Sequence, residues 1–279
     1  MKLTILGSGG FCTTPRPGCS CAVCEEARHV GGRSMRLGPS LYLHDVAALF
    51  DTPEDIAVEL NRAGVERVAH VFYTHWHPDH TMGMRIVEQL NVKWADDGSW
   101  RMPAKSKTIV HMPPQVRDEI FARFGFLFEF WEKRGLVEAQ TIDSPVKLGA
   151  FTIAAVARKS RHLTATHSTI YIISDGKSKV AYAPCDITPF PMDEPLLEGC
   201  SAMILQIGWV GEEMAGRAKK GPHYEISMDE IAGIMKRYKP RRTILTHVGD
   251  ELGLTQGRLG AIVWERGVEI AYDGMEIEI

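Results

Sequence analysis

The segment His75-Trp76-His77-Pro78-Asp79-His80 puts three imidazoles and one carboxylate within six consecutive positions. The whole chain of 279 residues has 11 histidines, so chance spacing does not explain the cluster. Imidazole nitrogens beside a carboxylate suit a borderline divalent cation such as Zn²⁺ or Mn²⁺. His75 and His77, two residues apart, can be aimed at one ion, while Asp79 and His80 face a neighbouring position. The chemistry implied is hydrolysis. Two close cations make a shared water far more acidic than bulk water and neutralise charge as it develops on the substrate.

Such a motif needs a platform. Residues 68–74 form an apolar run that reads as a buried strand, so the motif leaves its C-terminal end. Open α/β sheets build their sites at that end. Three later features also follow apolar runs: Arg158-Lys159-Ser160-Arg161-His162, Pro184-Cys185-Asp186 and Thr246-His247. Strand ends collect on one side of a sheet, which makes His162, Asp186 and His247 candidates to converge on His75–His80. Taken singly, each is equally well explained as a backbone cap or a turn start. Arg158, Lys159, Arg161, Arg217, Lys219 and Lys220 lie near these positions in sequence. They are candidate phosphate contacts, with solvated surface charge as the competing reading.

The cysteines add a second metal signal. Three of the six fall in Cys19-Ser20-Cys21-Ala22-Val23-Cys24, a spacing that favours a metal knuckle over disulfides. Cys12, Cys185 and Cys200 are isolated and are expected to be small, partly buried residues.

Composition bounds the rest. Apolar residues make up 44% and charged residues 24%, which is ordinary for a soluble globular protein. A net charge of −3 supplies no basic field to recruit nucleic acid. No run approaches the ~20 apolar residues of a membrane span. The first six residues lack a signal-peptide core, so a cytoplasmic location is expected.

The chain shows no repeat or linker and is expected to be one domain over 1–279. Strand-like runs recur at 2–6, 40–51, 68–74, 107–112, 150–157, 169–175, 179–184, 201–208, 242–246 and 268–279. Helices are expected over 54–62, 81–90 and 114–124, the last stopped by Gly125. Another follows the capping box Ser227-Met228-Asp229-Glu230, with Met228, Ile231, Ile234, Met235 and Tyr238 on one face. Two similar halves suggest two sheets packed face to face with helices outside. Residues 91–131 read as a lid or loop insertion. Its aromatic end, 121–131, points to a packed flap or a homodimer contact rather than a membrane-surface element.

Together, His75-x-His77-x-Asp79-His80 followed by His162, Asp186 and His247 resembles the metallo-β-lactamase superfamily, over essentially the whole chain. Gly7-Ser8-Gly9-Gly10, the Cys19–Cys24 knuckle and the ending Tyr272-Asp273-Gly274-Met275 are similar to the phosphoribosyl cyclic phosphodiesterases of phosphonate breakdown. The resemblance implies an α/β fold, the αββα sandwich of two mixed sheets. It implies one metal on His75, His77 and His162 and another on Asp79, His80 and His247, with Asp186 bridging. His162 stands nine residues before Tyr171, close to the family spacing, whereas His167 is left to line the pocket. The resemblance also places His223 beside the metals, where an imidazole can donate a proton to a leaving alkoxide or hold a phosphoryl oxygen.

A structural Zn²⁺ is implied on Cys19, Cys21 and Cys24. Its fourth ligand stands three residues after the last metal histidine, and it is His in the family but Asp250 here. This chain is therefore a relative and not necessarily the same enzyme. The implied activity is hydrolysis of a small cyclic or nucleotide-like phosphodiester by two Zn²⁺ or Mn²⁺ ions, with Asp79, Asp186 and His223 taking part. The alternatives are a tRNA 3′-processing nuclease, a thioester or lactone hydrolase on the same fold, and a non-catalytic metabolite-binding relative. The lack of a long basic insertion argues against the first, and the retained histidines argue against the last.

Overall fold

The structure is a computed structural model that describes residues 1–101, 107–161, 166–210 and 225–279. Among these residues, two seven-stranded sheets carry the fold. The first has the order Met275–Glu278, Lys2–Gly7, Ser40–Leu43, Ala48–Phe50, His70–Phe72, Thr108–Met112, Val137–Thr141. The second has the order Glu269–Ile270, Arg242–Thr246, Ala202–Gln206, Lys179–Ala183, His167–Ser174, Phe151–Lys159, Val146–Leu148. Both mix parallel and antiparallel pairs.

Alternation along the strands sorts side chains into three cores. Leu3, Leu41, Phe50 and Phe72 of the first sheet meet Ile153, Tyr171, Tyr182 and Ile244 of the second in a central layer. The intervening residues face outward. Ile172, Met203 and Leu205 pack under the helices Met228–Tyr238 and Gln256–Trp264. Leu49, Val71 and Val110 pack under Ile56–Arg62 and Pro114–Lys133. The result is helix, sheet, sheet, helix, the expected αββα sandwich.

The expected strand over 40–51 is interrupted by a 3₁₀ turn at His44–Val46, which folds one apolar run into a hairpin. Val137–Thr141 and Val146–Leu148 are strands that periodicity did not indicate, because they lie at or near the sheet edges and are only partly buried. The capping box at Ser227 is complete, with both reciprocal bonds to Glu230 formed.

Gly125 does not stop its helix, which runs from Pro114 to Lys133. A mid-helix glycine costs roughly 1 kcal/mol relative to alanine. Burial of Phe128 and Trp131 beyond it is worth several times that, at roughly 1.5–3 kcal/mol for a large side chain. The lid reading of 91–131 narrows accordingly. Thr108–Met112 is an interior strand of the first sheet and 114–133 is this helix, so only the small ribbon pairing Lys93–Trp94 with Trp100–Arg101 stands apart among the described residues.

Sheet register delivers the site. Phe50 pairs in parallel with Phe72, so Asp51 and Thr74 emerge side by side. In the second sheet Ala183, Leu205 and Leu245 are in register, so the turns carrying Asp186 and His247 leave from the same edge.

Candidate metal centre

Two sets of donor atoms meet at these strand ends. His75, His77 and Asp186 offer ligand atoms within 4.8 Å of one another, and so do His80 and His247, with Cys185 common to both groups. Asp79 belongs with the second set, since its Oδ2 lies 3.2 Å from His247 Nε2 and 3.4 Å from His80 Nε2. In the first set, His77 Nδ1 stands 3.6 Å from Asp186 Oδ2. Nitrogen and oxygen ligands at their usual distance from one tetrahedral cation lie about 3.4 Å apart. These separations therefore match those of co-ligands. His162 and His223 lie outside the described residues, as do Arg217, Lys219 and Lys220.

Hydrogen bonding prepares the imidazoles. Asp51 Oδ2 accepts from the Thr74 hydroxyl at 2.7 Å and pairs with His80 Nδ1 at 2.8 Å. Since that hydroxyl donates to Asp51, its contact with His75 Nδ1 at 2.9 Å takes the ring N–H as donor. Both rings thus carry a proton on Nδ1 and turn Nε2 inward. A carboxylate or hydroxyl behind a histidine is the usual support for a metal ligand. His75 Nε2, His80 Nε2 and Asp186 Oδ2 are buried without any hydrogen-bond partner. Uncompensated buried polar atoms are costly, and two of these lie in the first donor set and one in the second, where a cation would satisfy them.

The charge balance agrees. Burial opposes ionisation of Asp79, yet His80 and His247 hold its carboxyl well below the usual range. Burial works against charging His80, but Asp79 and Asp51 raise it to about 10. A pocket that draws positive charge this strongly onto an imidazole favours a divalent ion. Asp51, Asp186 and His247 all adopt φ between +54° and +63°, the left-handed region. Such conformations cost about 1–3 kcal/mol each and tend to mark functional sites.

The knuckle residues come together, with the ligand atoms of Cys19, Cys21, Cys24 and Asp250 within 4.8 Å of one another. Asp250 Oδ2 lies 3.4, 3.7 and 3.6 Å from the sulfurs of Cys19, Cys21 and Cys24. For Zn–S near 2.3 Å and Zn–O near 2.0 Å, the S···O edge of a tetrahedron is about 3.5 Å. Cys21 also caps the helix Ala22–Val30, and Arg16 donates to Asp250 at 3.0 Å.

The motifs at the two ends of the chain meet. Asp273 accepts from the backbone and hydroxyl of Ser8, and Val248 N donates to Ser8 O. The glycine turn thus anchors the loop bearing His247. Gly7 is required there, since a Cβ would fall 1.8 Å from the Gly38 carbonyl oxygen.

Several contributors were not found by sequence reasoning. Asp51 ends a strand-like run, but an acid at a strand end carries no signal of its own. Cys185, expected to be merely buried, is buried among the candidate ligands. Glu225 accepts from Gln206, and burial pushes its carboxyl up to about 7 against the pull of His247. His167 is bound by Glu119 through both its backbone N–H and its ring, and is not among the grouped ligand atoms.

Arg158 and Lys159 are exposed and share a narrow cleft with Asp186. A cleft of about 220 Å³ lined by Phe11, Thr13, Arg16 and Asp55 opens onto Asp79. A larger cavity of about 550 Å³, lined by Thr4, Glu59 and Asp273, includes none of the proposed ligands.

Comparison with known proteins agrees with this architecture. Residues 47–248 match the family described as the beta-lactamase superfamily domain. Among solved structures, the chain is similar to a diphosphatase from the PhnP family, with 21% identity, coverage of 100% of this chain and 96% of that one, and a TM-score of 0.73. It is similar to Zn²⁺-bound PqqB from Methylobacterium extorquens, with 17% identity, 100% of both chains and a TM-score of 0.73. Human tRNase Z, short form, matches at 17% identity over 100% of this chain and 99% of that one, with a TM-score of 0.64. No curated protein matches the sequence.

Proposed function

Because the chain belongs to the beta-lactamase superfamily, with its family match spanning residues 47–248, we propose that it is a metal-dependent hydrolase of a small phosphodiester. The observation that carries this is the convergence of two His/Asp sets whose buried His75 Nε2, His80 Nε2 and Asp186 Oδ2 have no hydrogen-bond partner. His75, His77 and Asp186 would hold one divalent cation and Asp79, His80 and His247 the other. His162 is proposed to complete the first set and Asp186 to bridge. When bound, such a pair supplies an activated water and neutralises charge on the phosphoryl oxygens.

The chain's own residues do the rest. Asp51 and Thr74 fix the ring orientations. Arg158 and Lys159, exposed on the strand end near Asp186, are proposed to contact the non-reacting phosphate or phosphoryl oxygens of a substrate. His223 is proposed to protonate the departing alkoxide. Glu225, which accepts from the Gln206 side chain, is the second candidate for that role.

A phosphoric anhydride is the competing substrate class, supported by the likeness to a diphosphatase. The net charge of −3 argues against tRNA, despite the shared fold with tRNase Z. The test is a screen of the metal-reconstituted protein against cyclic phosphodiesters, bis(p-nitrophenyl) phosphate, nucleoside diphosphate esters and thioesters, with elemental analysis in parallel. Turnover of phosphodiesters, with close to two metals per chain beyond any in the knuckle, is expected. Preference for the anhydride would select the competing class. A folded, active protein without metal at the His/Asp sets would overturn both.

A further inference from the structure

We propose that Cys185 is a further ligand of the metal centre, lying between the two His/Asp sets and biasing the centre toward Zn²⁺ over Mn²⁺. The inference rests on the dinuclear reading and extends it by a residue with different chemistry. The Cys185 sulfur is within 4.8 Å of the donor atoms of His75, His77 and Asp186, and equally of His80 and His247. Among the described residues it alone belongs to both groups. The side chain is 5% exposed, so it is enclosed with the ligands rather than displayed to solvent.

Backbone geometry explains how two consecutive side chains reach the same place. Along a strand, neighbours point to opposite faces. Beyond Lys179–Ala183 the alternation is broken, because Asp186 takes φ +54°. The turn is pinned on both sides. Ser168 Oγ donates to the Cys185 carbonyl at 2.8 Å, and Ile187 N donates to the Gln206 side chain. The buried, unpartnered Nε2 atoms of His75 and His80 and the Oδ2 of Asp186 supply independent evidence of a cation there. The Cys185 sulfur shares that cluster of donor atoms.

The consequence is selectivity. Imidazole and carboxylate accept both Zn²⁺ and Mn²⁺, with Zn²⁺ the tighter, and a thiolate widens that preference toward the softer ion. Loss of the sulfur should therefore change which metal is retained more than whether metal is retained.

The decisive measurement is a crystal structure of the full chain reconstituted with Zn²⁺. A Cys185 Sγ–Zn distance of about 2.3 Å is expected. Zinc on the His/Asp sets with that sulfur farther than about 3 Å from both ions would overturn the proposal and leave the dinuclear reading standing. Absence of zinc from those sets would overturn both. In solution, wild type and Cys185→Ser are equilibrated with mixed Zn²⁺ and Mn²⁺, and bound metal is counted. The knuckle contributes equally to both proteins. The Zn²⁺:Mn²⁺ ratio at the centre should fall about tenfold or more in the variant, and an unchanged ratio would count against ligation.

Discussion

The candidate His/Asp centre draws its donor groups from several separate strand ends, buries all but Asp79 and holds two of them in left-handed backbone conformations. The Cys19–Cys24 knuckle takes three of four ligands from one short stretch, leaves two of those cysteines partly exposed and uses a helix N-terminus as its frame. Both arrays place donor atoms at co-ligand spacing. The first has unpaired atoms, strained turns and a supporting hydrogen-bond layer, which are the attributes of a reactive site. The second ties the N-terminal segment to the loop after His247, which is the attribute of a staple. Asp250 stands three residues beyond His247, so the two arrays share one loop.

Substitution at the centre should give the largest effects. Asp186→Ala is expected to lower kcat/KM by well over the roughly 100-fold seen when only a supporting residue is lost. Metal content should drop while the circular dichroism spectrum stays native. Global unfolding instead would show that Asp186 belongs to the core more than to the centre.

Asp51→Asn tests the supporting layer. It keeps the shape but weakens the acceptor behind His80 Nδ1 and Thr74 Oγ1. Metal affinity should fall about 10- to 100-fold, measured by competition with a chelator. Unchanged affinity would remove Asp51 from the account of ring orientation.

Cys21→Ser should act mainly on stability. Structural zinc contributes directly to folding free energy, so the thermal midpoint should drop by about 5 °C or more. Turnover should change far less than in the Asp186 variant. Thermal melts with and without chelator check this, and equal melts for variant and wild type would make the cysteines free thiols. A turnover loss as large as that of Asp186→Ala would erase the contrast between staple and centre.

Glu59 provides a control, a buried carboxyl that belongs to none of the grouped donor sets. Burial raises its pKa well above the normal value, against the hydrogen bond from Ser40. Between the unfolded and folded pKa values the native state binds the extra proton, so stability falls as pH rises. Glu59→Gln removes that dependence. The stability gap between variant and wild type should widen by roughly 1.4 kcal/mol per pH unit above about pH 4.5, until the folded pKa is reached. Denaturant melts from pH 5 to 8 measure it, and parallel pH profiles would show that Glu59 ionises normally.

The two regions differ in how legible they were. The Cys19–Cys24 spacing and the His75–His80 motif are local, so residue types and intervals alone identified them as metal-binding candidates. The apolar runs likewise announced most of the interior strands, because burial on both faces leaves a continuous signature. Edge strands such as Val146–Leu148 left none, and Gly125 misled because a local penalty was outweighed by burial of Phe128 and Trp131 farther along.

What only the tertiary structure decided was company. Asp51 supports His75 and His80 because Ala48–Phe50 and His70–Phe72 pair in parallel, a register that neither segment encodes by itself. Cys185 looked like an ordinary small buried residue. The left-handed turn at Asp186 brings it among the histidines. Residue types and spacing determine which atoms can bind a metal, while strand pairing and backbone turns determine which of them share one point in space.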